Sequence, residues 1–133
     1  MSNFLNEKID TPKRDGLIVD NFPPADVFSV TLRAVDKAVN LERGTVLALS
    51  TGTAGDKKMV VLGTEAATNE TLEANCILCD DTEVGTADVI GLAYRTGHFA
   101  RNQLIAVESY ELTKTDEEAL RKGGILLSDA MNY

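Results

Sequence analysis

Residues 76–128 read CILCDDTEVGTADVIGLAYRTGHFARNQLIAVESYELTKTDEEALRKGGILLS, and this stretch decides the fold. It opens on an apolar run, Cys76-Ile77-Leu78-Cys79, that ends in the acids Asp80 and Asp81. A turn signal at Arg95-Thr96-Gly97-His98-Phe99 separates two more apolar runs; a short capped helix follows, and residues 124–128 close on aliphatic side chains. Short β-branched and apolar runs punctuated by glycine and acidic turns are the pattern of a β-rich domain. The expected fold is a β-rich α+β body, a compact mixed sheet or barrel with one or two short helices, carrying an extended N-terminal arm.

Working outward, the same texture predicts strands near 27–34, 45–50, 58–64, 75–79, 88–95, 98–107 and 124–128. Gly44, the Gly52 to Gly55 segment, Gly85 and Gly97 supply the breaks. Met59-Val60-Val61-Leu62 and Cys76 to Cys79 are continuously apolar, as strands covered on both faces are. The helix is signalled by Thr115 with Glu118 three residues on, a capping-box spacing. Asp116 and Glu117 suit its positive end, and Arg121-Lys122 its negative end before Gly123. Glu117 to Arg121 and Glu118 to Lys122 add two i,i+4 pairs, each worth about 0.2–0.5 kcal/mol. Leu120 and Ala119, with Leu112 ahead of the cap, are the side chains expected to dock it on the sheet.

Residues 1–26 differ from the rest. Charges, Asn and Gly16 surround short apolar islands, and Pro23-Pro24 hold an extended path that no helix can continue. This predicts two parts, an arm over 1–26 and a body over 27–133. An extended arm can add its backbone to the sheet edge of another chain, with alternate side chains filling pockets. The candidate contact residues are Phe4, Leu5, Ile9, Leu17, Ile18, Val19 and Phe22. About 22 residues reach at most about 70 Å when fully extended.

The chain has 133 residues, the size of one domain, with 44% hydrophobic residues, 5% aromatic and no tryptophan, so its core is aliphatic. Thirteen basic residues against twenty-one acidic give a formal charge of -8. A field of that sign repels phosphate backbones and anionic lipid, which argues against nucleic acid and membrane as partners. No apolar run approaches the length of a membrane span or a signal peptide, and the expected site of synthesis is the cytoplasm.

Four constellations invite a chemical reading. Cys76 and Cys79 form a Cys-x-x-Cys pair, but a structural zinc site takes four ligands, and only His98 and an acid such as Asp80 are at hand to complete one. In a strand the two thiols point to opposite faces with Cα atoms about 10 Å apart, past the disulfide limit of about 7 Å. Two buried structural thiols is the simpler reading. His98, the one histidine, follows Gly97 at an apparent turn, with no Ser or Cys beside it. A triad can assemble in space, yet nothing in the sequence singles out a nucleophile. Thr51 to Lys58 has the composition of a phosphate loop without its spacing, and it leads into a strand where a helix N-terminus is needed. Asp80-Asp81-Thr82-Glu83 lacks the ligand alternation of a calcium loop and reads as an acidic turn. The sequence therefore predicts no catalytic residue, cofactor or metal.

Taken with Leu41-Glu42-Arg43-Gly44-Thr45-Val46-Leu47, the stretches Cys76 to Val84, Tyr94 to Leu104 and Leu112 to Leu127 resemble the lambda-type head decoration proteins of tailed bacteriophages. The resemblance spans roughly residues 15–130; the long arm with Pro23-Pro24 and the cysteine pair depart from it. It implies a structural protein rather than an enzyme: a homotrimer at local three-fold sites on the outer surface of the expanded capsid. There it holds the shell against the pressure of packaged DNA, with its N-terminal arm paired to the major capsid protein. Two other classes stay open. A different phage adaptor, from the tail or the head-completion machinery, would assemble in rings or tubes, and a Cys/His metal-dependent enzyme would bring Cys76, Cys79 and His98 together.

Overall fold

The apolar runs become strands whose partners are mostly distant in sequence. The computed structural model describes residues 16–20, 23–108 and 110–128. In chain order the elements are β1 (Ile18–Asp20), β2 (Val27–Leu32), β3 (Val39–Leu41), β4 (Val46–Thr51), β5 (Met59–Val61), β6 (Thr71–Leu78), β7 (Thr82–Val84), β8 (Val89–Tyr94), β9 (Gly97–Ala100), a 3₁₀ turn (Arg101–Gln103), α1 (Lys114–Gly123) and β10 (Ile125–Ser128). Five of them close into a barrel in the order β2-β5-β4-β6-β8. A second sheet runs β1-β9-β10, and β3 pairs with β7. The β-rich α+β expectation is met, with one α-helix among the described residues.

Two aliphatic clusters form on the two sides of the barrel wall. Val30, Leu32, Leu47, Met59, Cys76, Leu78 and Ala93 come from all five barrel strands and fill its interior. Val46, Ala48, Ala74 and Ile77 face the other way and meet Leu17, Phe99, Leu120 and Ile125 from the second sheet and α1. The switch of face along β6 comes from a register shift. Leu47 pairs with Cys76 but Ala48 pairs with Ala74, so Asn75 is an extra residue. Such a bulge re-aims every side chain beyond it. It puts Ala74 on the same side as Ile77, while Cys76, Ile77 and Leu78 alternate between the two clusters and are all apolar because both faces of β6 are covered.

Two expectations need correction. The strand predicted over 98–107 ends at Ala100, because the chain turns through the 3₁₀ segment before Ile105 bridges to Thr45. The helix cap is Thr113, not Thr115: its side chain accepts from the Asp116 amide at 3.1 Å, and the Asp116 carboxylate accepts from the Thr113 amide at 3.0 Å. The same Thr-x-x-acid spacing occurs two residues earlier than expected. It prevails there because Tyr110 also donates to Asp116, while Leu112, Ala119 and the fully buried Leu120 dock the helix as predicted. The anticipated i,i+4 pairs are replaced. Glu117 accepts two hydrogen bonds from Arg101, both 3.0 Å, and Glu118 pairs with Arg121. Gly124 ends the helix in the left-handed conformation that glycine adopts most readily.

The barrel is thinnest between β2 and β5, which pair in parallel at one register position, Leu32 with Met59. Side chains reinforce this seam. Arg33, just past β2, donates to both oxygens of Asp56 at 3.0 Å and also to Glu70, which accepts from Ser50 and from the Ala67 amide. The Ala67 amide, Ser50 and Arg33 together hold the Glu70 carboxyl at about 2, and Arg33 foremost holds Asp56 at about 2. Unfolded carboxyls titrate near 4, so these depressed groups contribute stability that is present above that value and lost as pH falls through about 2. The melting temperature is therefore expected to fall between about pH 4 and pH 2. In Arg33→Gln the neutral-pH value should be lower and the acid fall shallower, as read by circular dichroism melts across that range. Equal acid slopes in the two proteins would show that the network does not hold the seam.

Candidate assembly surfaces

The arm residues divide sharply. Phe4, Leu5, Ile9 and Phe22 lie outside the described residues. Leu17 is 2% exposed within the core, and its carbonyl accepts from the Ala100 amide at 2.8 Å. Ile18 packs against the same cluster, whereas Val19 is 40% exposed. Leu17 therefore spends its side chain on its own body and is not free to fill a pocket elsewhere. The structure places Leu17 to Asp20 with the body, ahead of the boundary at residue 26 that Pro23-Pro24 suggested. The prolines prevent a helix but do not prevent the preceding residues from pairing, and β1 takes antiparallel positions opposite Phe99 and His98. The other edge of β1 carries no strand among the described residues.

One apolar patch is exposed on the barrel wall, and a groove opens onto the barrel core. On β8, Ile90 is 70% exposed; Leu92 on the same strand and Val27 on its partner β2 are exposed as well. Beside the one paired position of β2 and β5, a groove of about 170 Å³ is lined by Val35, Val39 and Leu41, with Arg33 and Thr64 also lining it, and reaches the buried core residues Leu32, Met59 and Val84. Contiguous exposed apolar surface on a small domain marks a place of contact more often than scattered single residues do.

Sequence segments that lie far apart meet at Arg43. Its amide donates to Asp81 at 2.8 Å, and its guanidinium donates to the Cys79 carbonyl at 3.1 Å and to the Tyr94 hydroxyl, lying over the Tyr94 ring. One side chain thus ties together the segments around residues 41–47, 76–84 and 94. Sequence reasoning had no local signal for this, since the partners are dozens of positions apart.

The reading of two buried strand thiols holds for Cys76, whereas Cys79 lies just past the end of β6 and is only partly buried. Both are free; Cys76 is buried in the barrel interior and Cys79 packs on the opposite cluster. Burial pushes the Cys76 thiol up to about 12, so it stays protonated and inert. Among the described residues no group of three or more His, Cys, Asp and Glu is placed to hold a metal. Thr51 to Lys58 leads into β5, not into a helix, and of the acidic segment Thr82 and Glu83 lie in β7. His98 is not at a turn tip but within β9, 20% exposed, between Asp20 and Ser128. That connectivity is the one a nucleophilic triad uses, but none of the three residues lines the groove. No described helix is long and apolar enough to cross a membrane.

These features define a class: a small β-barrel module with an aliphatic double core, whose accessible features are apolar faces and strand edges suited to assembly. Comparison with known families narrows this. The family model of the bacteriophage lambda head decoration protein D matches residues 25–126, most of the chain, and the protein belongs to that family. Its role is accordingly that of a capsid decoration protein of the phage virion. No curated protein matches the chain. The match begins at residue 25, so the N-terminal segment and β1 lie outside it.

Proposed function

We propose that the protein binds the outer surface of the expanded phage head as a homotrimer at local three-fold sites and clamps neighbouring major capsid subunits against the pressure of packaged DNA. The family match over the body carries this reading. The chain acts as a structural ligand and not as an enzyme, with no direct role for nucleic acid or membrane. The segment ahead of Leu17, with Phe4, Leu5 and Ile9, is the proposed capsid-binding arm. β1, at the edge of its sheet, positions the point where that segment leaves the body, and Val19 extends the contact. Assembly occurs in the host cytoplasm.

A ligand that binds only the assembled shell stabilises it by RT ln(1 + [L]/Kd), about 2.7 kcal/mol at a hundredfold excess over Kd. Repeated around a shell, modest affinity is sufficient. Expansion of a procapsid respaces the groups around each three-fold axis, so binding depends on the state of the shell. Sedimentation with expanded heads and with unexpanded procapsids tests this. Saturation of expanded heads at three copies per three-fold site is expected, with little uptake by procapsids. Equal saturation of both forms, or a stoichiometry unrelated to three-fold sites, would overturn the reading.

A further inference from the structure

His98 sits on the central strand of the β1-β9-β10 sheet and holds a side chain from each neighbour. Its Nδ1 is 3.2 Å from the Asp20 Oδ2 on β1, and its Nε2 is 2.9 Å from the Ser128 Oγ on β10. The hydrogen positions follow from chemistry. An ionised carboxylate only accepts, so Nδ1 carries the hydrogen; in the neutral ring Nε2 is then an acceptor, and the Ser128 hydroxyl donates to it. Removing the carboxylate frees the ring to place its hydrogen on Nε2, which reverses the direction of the bond to Ser128. Removing the hydroxyl takes away the donor that holds Nε2 as the acceptor, which weakens the preference for the Nδ1–H tautomer that Asp20 accepts from.

β1 and β10 do not pair with each other; each is an edge of the sheet, three and four residues long. Each is anchored to the core at one end, β1 by Leu17 and β10 by Ile125, and as a sheet edge each can still fray from its far end ahead of global unfolding. We infer that the Asp20–His98–Ser128 chain couples the docking of β1 to the docking of β10. One imidazole thereby secures both edge strands of the sheet. Backbone pairing alone would not produce this: Asp20 and Leu126 each stand opposite His98, but the hydrogen-bond relay passes to Ser128, two residues beyond Leu126. His98 is in this sense a positioning residue. Under the proposed function, on which only this consequence rests, a load applied to the arm by a capsid subunit is shared with β10 and through it with α1.

Amide hydrogen exchange on the full free protein tests the coupling. Asp20→Ala should speed exchange of the β10 amides as well as those of β1, and Ser128→Ala should speed exchange on β1 as well as β10, each by about threefold or more. The double variant should be no faster than His98→Ala, because both break the same relay. Imidazole nitrogen chemical shifts add a readout that packing alone does not move: the Nδ1–H tautomer of the parent protein should be lost in Asp20→Ala. Effects confined to the mutated strand, rates in the double variant equal to the product of the single effects, or an unchanged tautomer would each overturn the inference. Asp20 is largely exposed, so Asp20→Ala keeps the test available if His98→Ala fails to fold. The measurement needs no capsid, and its failure is separate from a failure of head binding.

Discussion

Deleting residues 1–22 is expected to destabilise the body by about 2–5 kcal/mol, the range for losing a well-packed leucine side chain, whereas deleting residues 1–15 should leave its melting temperature close to that of the full chain. Leu17 accounts for the difference: it is buried among Val46, Leu62, Phe99 and Leu120, and β1 adds pairing to β9 on top of that burial. For a domain of this size the longer deletion should lower the melting temperature by about 10 °C or more, as calorimetry would show. Capsid affinity should separate from stability in the same series. The 1–15 deletion should remain folded yet sediment poorly with expanded heads, while Leu17→Ala in the full chain should lose stability and still bind at temperatures where it is folded. If the 1–22 deletion melts with the full chain, Leu17 is not part of the core.

The second large effect is expected at Phe99. Its ring is fully buried, stacked at a tilt on Tyr94 with centroids 5.2 Å apart. Phe99→Ala should cost about 3–5 kcal/mol. Gly97 is the other half of this arrangement: its φ of +146° is one that side chains rarely adopt, and a Cβ there would lie 2.6 Å from the Phe99 Cζ. Gly97→Ala is expected to cost about 1–3 kcal/mol through strain and overpacking. The two should not add. Once Phe99 is truncated, the methyl at position 97 has room, so the double variant should be less destabilised than the sum of the singles. Denaturant melts of the four proteins measure this directly, and strict additivity would mean that the ring does not cover the glycine.

The Gly97 and Phe99 pair also shows what could be read from the sequence. The glycine break and the apolar runs around it were visible, and strands near 27–34, 45–50, 58–64, 88–95 and 124–128 all appear within a few residues of where their patterns put them. The strands that escaped notice, β1, β3 and β7, are three residues long, too short to show a period. The start of β6 was missed for a different reason. Thr71 to Ala74 alternates, but the bulge at Asn75 breaks the phase before the apolar run begins. The candidate site was less legible still. Arg33 finds Asp56 and Glu70, Arg43 finds Cys79 and Tyr94, and His98 finds Asp20 and Ser128, all through tertiary pairing that no local window contains. The groove likewise draws its lining from around residues 32–41, 59–64 and 84, which no local window joins. What sequence order did preserve was the succession of short blocks now tied together by Arg43.

The closing of the barrel has a consequence in time. β2 completes the ring by pairing with β8, Val27 opposite Tyr94 and Leu32 opposite Val89, so about half the chain must be gathered before that ladder gains its first contact. Loop closure of that span is paid in entropy before any pairing rewards it, and folds dominated by such pairings mature in milliseconds to seconds rather than microseconds. During that interval β2 and β8 present open edges and the aliphatic side chains of both strands to the surrounding solution. A newly made copy is therefore most vulnerable to joining the wrong chain just before it becomes a closed unit.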